Sequence, residues 1–113
     1  MSTDTLEVGD VVLVAFPFSD GKTVKRRPAL AMSQRDDHGD LLLLANTSNP
    51  DTPHGVSIGN ADLASGRLPV QSWVKPSKLS SVHTSRVERV LAKAAPRVLA
   101  SVRAKLCPVL GCL

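Results

Sequence analysis

The apolar positions of this chain fall into short runs separated by turn residues. Val8–Phe16 is apolar and valine-rich, which predicts a mostly buried strand. Pro17 ends it, because proline has no N–H to give to a ladder. Asp20-Gly21 marks a turn inside the polar, basic loop Ser19–Arg27. Pro28–Ser33 reads as a second strand, Asp36–Asp40 as a turn and Leu41–Ala45 as a third strand. Asn46–His54 is a loop rich in Asn and Pro, followed by a short strand at Val56–Ile58 and a turn at Gly59-Asn60. Pro69–Val74 and Lys78–Val82 read as two further strands, parted by Pro76.

The period then changes. From Thr84 to Leu106 the apolar positions are Val87, Val90, Leu91, Val98, Leu99, Val102 and Leu106, and spacings of three and four predict helix. Pro96 divides the stretch, since proline suits a first turn and not a helix interior. The expectation is one helix over Ser85–Lys93, capped by Thr84 or Ser85, and a second over Pro96–Lys105. The strands are joined by loops too short for crossover helices, so the sheet is expected to be antiparallel. Strands this short curl into a small barrel, with the C-terminal helices covering one open side. The fold class is therefore mainly β with C-terminal α.

Length adds one bound: 113 residues suit a single domain, 1–113, with its core at about 8–106. Hydrophobic residues at 42% and charged residues at 21% exclude a disordered chain. The longest wholly apolar run, Val11–Phe18, is far short of the ~18 residues of a spanning helix, so no membrane association is expected. Met1–Glu7 has neither the basic nor the apolar region of a secretory signal, which points to the cytoplasm. There Cys107 and Cys112 are expected to stay reduced, as small apolar residues or a free tail. A bridge across so small a loop would stabilise little.

Charge changes the picture more. The net charge is +4, unevenly distributed. Residues 1–62 carry five Lys/Arg against nine Asp/Glu, whereas residues 63–113 carry nine against one, Glu88. Such asymmetry suggests an anionic partner, a nucleic acid or an acidic protein segment. The glycines are scattered singly, no His-x-x-x-His or Cys-x-x-Cys pair occurs and no G-x-S-x-G elbow is expected, which argues against an NTPase, a zinc enzyme and a serine hydrolase; no metal or cofactor is expected. An enzyme here would work with Arg, Lys, Ser and Thr, with His as a further candidate. That set suits displacement at phosphorus, where arginine offers a fixed fork of donors. RNA brings its own nucleophile, the 2′-hydroxyl.

Four segments carry a family resemblance. Gly9-Asp10-Val11-Val12-Leu13-Val14, with Phe16-Pro17-Phe18-Ser19-Asp20 and then Arg26-Arg27-Pro28-Ala29-Leu30, resembles the opening of the MazF/PemK (Kid) family of toxins. Leu42-Leu43-Leu44-Ala45-Asn46-Thr47-Ser48 resembles its third strand, which ends in Thr-Ser. Leu68-Pro69-Val70-Gln71-Ser72-Trp73-Val74-Lys75-Pro76, with Lys78-Leu79, resembles its later Ser-Trp-Val segment. The likeness runs from about Gly9 to Leu106.

The resemblance implies an SH3-like barrel of the CcdB/MazF/Kid kind with one or two C-terminal helices, assembled as a homodimer with its RNA groove at the subunit interface. It implies the toxin of a type II toxin–antitoxin system, a metal-independent endoribonuclease cutting single-stranded mRNA to 2′,3′-cyclic phosphate and 5′-OH ends. The cognate antitoxin would fill the same groove with an acidic C-terminal segment. The Arg before Pro in the second strand matches Arg27 and the Thr closing the third matches Thr47; these are the expected catalytic residues. Lys22, Lys25 and Arg26 are the expected phosphate contacts, and Ser48, Asn49, Gln71 and Ser72 complete the candidate substrate-binding set. Some members carry an Arg-x-Asp pair late in the fold, where this chain has Ser72-Trp73-Val74. Two alternatives stand beside this reading: a CcdB-like protein-binding toxin acting on DNA gyrase, and a non-catalytic RNA-binding barrel.

Overall fold

A computed structural model describes residues 6–17 and 21–112. Phe18, Ser19 and Asp20 of the opening motif, and residues 1–5, lie outside the described residues. Seven strands appear among them: β1 Asp10–Pro17, β2 Val24–Ala31, β3 Asp40–Thr47, β4 Val56–Ile58, β5 Leu63–Gly66, β6 Ser72–His83 and β7 Val87–Ala94. One helix follows, α1 Pro96–Leu110. All strand pairs are antiparallel, in the order β4-β6-β3-β2-β1-β7-β5.

The connections force this sheet to roll. In a flat sheet β6 and β7 would lie four strand spacings apart, about 19 Å. The chain from His83 to Val87, one 3₁₀ turn at Thr84–Arg86, spans at most about 14 Å. The two strands must therefore approach, and the sheet curls into a nearly closed barrel. Alternate residues of β1–β3 then feed two cores. Val12, Val14, Ala29, Ala31, Leu41 and Leu43 meet Val82 and Val87 on one face. Val11, Leu30 and Leu44 meet Ile58, Val74 and the Val98–Val102–Leu106 stripe of α1 on the other.

Four sequence expectations are corrected. Ser85–Lys93 is not helix; Val87–Ala94 is strand β7, paired with β1 and β5. Its register jumps from Val14↔Val87 to Leu13↔Arg89 and from Val12↔Val90 to Val11↔Ala92. Glu88 and Leu91 are thus the extra residues of two β-bulges. They stretch the inward spacing from two to three, which is why the pattern mimics a helix.

The two strands expected at Pro69–Val74 and Lys78–Val82 form one, β6. Its register runs Leu44↔Leu79 and then Asn46↔Val74, leaving residues 75–78 outside regular pairing. Pro76 sits in that irregularity, where no ladder N–H is required. Strand β5, four residues at a sheet edge, carries too little apolar pattern to be read.

Finally, Cys107 and Cys112 form a disulfide. Gly111 ends α1 in the left-handed conformation, and the Cys112 N–H bonds the Cys107 carbonyl at 3.0 Å. This helix-terminating turn by itself holds the two ends of the pair close together. No helix among the described residues is long and apolar enough to cross a membrane.

Candidate functional site

β2 and β3 pair only through Ala29↔Ala45, Leu30↔Leu44 and Ala31↔Leu43. Beyond Ala29 they part, and a cleft of about 330 Å³ opens between them. Lys25, Arg26, Arg27 and Pro28 line it from β2, Asn46, Thr47 and Ser48 from the end of β3, and Val70 and Ser72 from the approach to β6. On the other edge of β3 the pairing with β6 is interrupted beside Ala45 and resumes at Asn46 in a shifted register. Carried on, the β2–β3 register runs Arg27 towards Thr47, two positions past the last pair.

Three side chains of the cleft are held in distinct ways. Thr47 Oγ1 accepts from the Asn49 N–H at 3.2 Å, which fixes the oxygen and leaves the hydroxyl proton to donate. Arg27 is exposed and makes no ion pair or side-chain hydrogen bond among the described residues. Arg26 is committed elsewhere: its Nε–H donates to both carboxylate oxygens of Glu88, at 2.7 and 2.8 Å. Glu88 is one of the β7 bulge residues, and the bulge turns the only acid of residues 63–113 onto the cleft's basic strand. Chemically, the cleft offers a free guanidinium, an oriented hydroxyl and a cationic rim, all donors suited to an anion bearing several oxygens.

A family model described as "PemK-like, MazF-like toxin of type II toxin-antitoxin system" matches residues 7–110. The chain belongs to the PemK/MazF toxin family. Among solved structures it is similar to the MazE–MazF complex of Deinococcus radiodurans. In one crystal form the chains are 29% identical over 94% of this chain and 96% of that one, with a TM-score of 0.76. In another they are 28% identical over 96% and 98%, with a TM-score of 0.79. An endoribonuclease from a mycobacterial species is 16% identical over 95% and 92%, with a TM-score of 0.73, a likeness of fold alone. Comparison with curated proteins gave no match.

Within this PemK/MazF barrel, six of the nine candidate residues line one cleft: Lys25, Arg26, Arg27, Thr47, Ser48 and Ser72. The other three do not. Lys22 is exposed on the β1–β2 loop. Asn49 is used locally, its Oδ1 accepting from the Asp51 N–H at 3.0 Å. Gln71 Nε2 donates to Ser57 Oγ at 2.8 Å.

Sequence reasoning missed Asn46, Pro28 and Val70 as cleft residues, and it missed Glu88. The strand alternation could have raised Asn46, a polar side chain on the face that carries Leu44. The expectation that no G-x-S-x-G elbow occurs also overlooks Gly55-Val56-Ser57-Ile58-Gly59, which matches that string of serine hydrolases. Here that string lies in the edge strand β4 and not on a strand–turn–helix elbow, and Ser57 Oγ is held by Gln71.

The shifted titrating groups lie away from the cleft. Asp62 is held below the usual carboxylate range by the Gly59 N–H and then by Arg97. Lys93 is raised by its hydrogen bond to Glu7.

Proposed function

We propose that this toxin is a metal-independent endoribonuclease that cuts single-stranded mRNA in the cytoplasm. The observation carrying the reading is that Arg27 and Thr47 line one cleft, with the guanidinium unpaired and the hydroxyl oriented. In the reaction the RNA 2′-oxygen attacks the adjacent phosphorus. The new 2′-O–P bond forms as the P–O5′ bond breaks. The 2′-hydroxyl loses its proton and the departing 5′-oxygen gains one. The products are a 2′,3′-cyclic phosphate and a 5′-OH.

Arg27 stabilises the charge that grows on the non-bridging oxygens and takes part in the proton transfer. Thr47 donates its hydroxyl to the same phosphate. One such preorganised donor is typically worth about 2.7–4 kcal/mol of barrier. Lys25 and Ser48 hold the flanking backbone, and the chain acts as a homodimer. Its partner is a cognate antitoxin whose acidic C-terminal segment occupies the same cationic cleft and so blocks RNA. The basic side chains of Lys25 and Arg27 on the cleft's β2 wall favour both anionic ligands.

The test is a long single-stranded RNA incubated with the protein in EDTA, beside Arg27→Ala, with fragment ends mapped. Discrete cuts by the wild type alone are expected. Cutting by Arg27→Ala at the wild-type rate, or cutting that EDTA abolishes, contradicts the proposal.

A further inference from the structure

The cleft has a polar floor inside an apolar wall. Asn46 is 2% exposed, and neither its Nδ2 nor its Oδ1 has a hydrogen-bond partner. It faces Val74 across the β3–β6 pairing and follows Leu44 on the same face, beside the core that holds Ile58 and Leu30. Two residues before Val74 on β6, and so on the same face, is Ser72, also 2% exposed. Both line the cleft. Ser72 Oγ donates to the Val70 carbonyl at 3.2 Å, which leaves its lone pairs to accept.

A buried amide without partners weakens a fold that a leucine of similar shape would serve. Packing therefore gives no reason for Asn46, and a ligand entering the cleft does. The amide sets the terms: it presents a donor and an acceptor side by side. A phosphate, an acceptor only, would satisfy Nδ2 and leave Oδ1 bare. The edge of a nucleobase satisfies both at once, and asparagine pairs in this bidentate way with the amino group and ring nitrogen of adenine.

We propose that Asn46 is a specificity-determining residue that reads the edge of one base of the RNA, adenine by preference, with Ser72 accepting beside it. The inference rests on the endoribonuclease reading above. Thr47, next in sequence, holds the phosphate, so the base read by Asn46 neighbours the cut. Val70, 54% exposed, lines the same cleft and offers an apolar surface to the ring of the base.

The experiment maps cut sites in a pool of random-sequence RNA for the wild type, Asn46→Leu and Asn46→Asp, with a thermal melt of each. The wild type is expected to favour one base, adenine, at one position next to the cut. Asn46→Leu relaxes that position by about tenfold or more, the effect of losing a bidentate base contact, leaves other positions unchanged and melts no lower. Asn46→Asp, which loses the amide donor, shifts the preferred base and covers the case in which Asn46→Leu fails to fold. Identical base frequencies in all three proteins overturn the inference, whatever their stability. If Asn46→Leu melts lower with frequencies unchanged, the amide is structural. If the wild type cuts no RNA, the endoribonuclease reading fails, and anisotropy with short adenine, cytosine, guanine and uracil oligomers judges the base contact alone. Equal affinities for all four overturn it.

Discussion

Glu88 restrains the cleft, and removing its charge has calculable consequences. In Glu88→Gln the chelated Arg26 loses its carboxylate partner and becomes able to meet a phosphate. The cost to the fold is small, because the Arg26 side chain is 59% exposed and that of Glu88 is 35% exposed. Solvent-screened pairs of this kind contribute about 1 kcal/mol or less. The gain is in binding. One more phosphate contact on a single strand steepens the dependence of log K on log salt by about 0.7. Glu88→Gln should therefore bind RNA more tightly at low salt, and its advantage should shrink by about 2.6-fold between about 50 and 200 mM. The assay is fluorescence anisotropy of a labelled single-stranded RNA whose 2′-hydroxyls are methylated, so that no cutting intervenes. A slope equal to or shallower than the wild type's, with the variant folded, removes Arg26 from the RNA path.

Further outcomes follow from the same geometry. Thr47→Ser keeps a hydroxyl and should lose little cleavage rate. Thr47→Val should lose about a hundredfold or more, and an equal loss in both would show that the hydroxyl is not what matters. Asp62, whose carboxyl is held low by the Gly59 N–H and Arg97, takes up its proton at lower pH in the folded chain than in the unfolded one. Its stabilisation is thus present above the unfolded value of about 3.9 and lost as pH falls through the lower folded value. Asp62→Asn should flatten the acid limb of a stability-versus-pH curve, and an unaltered limb would count against the pairing. Gly66 has a φ of +78°, and an added Cβ would meet the backbone of Leu91 and Ala92. Gly66→Ala should lower stability by more than the ~1 kcal/mol of an ordinary left-handed strain, read by urea unfolding; a smaller loss means that β5 shifts freely.

The strands with unbroken local pattern were legible from the sequence. Val56–Ile58 is read at its exact limits, and β1–β3 to within a few residues, because valine and leucine runs bounded by Pro, Gly and Asp say where a ladder stops. What defeated the reading were departures from period two. Bulges at Glu88 and Leu91 space the inward residues of β7 like a helix. The irregularity around Pro76 hides the continuity of β6. Both depend on a partner strand that no local window contains.

The cleft divides in the same way. Arg27 and Thr47 were reachable through the family motif, and Lys25, Arg26, Ser48 and Ser72 through neighbourhood. Glu88 was not, being 62 positions from the arginine that it chelates. Asn46 reads as a loop residue until the strand extends to Thr47 and turns its amide inward. Compartment and loop size both argue against the disulfide, yet the helix-ending turn at Gly111 brings its two halves together.

In the proposed reaction the cleft supplies donors while RNA supplies the nucleophile. This is tested most directly by one RNA synthesised twice around a mapped cut site, once with a single 2′-deoxynucleotide on the 5′ side of the scissile phosphate. The all-ribose strand should be cut there, leaving a cyclic phosphate and a free 5′-hydroxyl, and the deoxy strand should stay intact at that site while still binding. Cutting of the deoxy strand at a comparable rate would mean that the protein or a water supplies the nucleophile, and would contradict the account.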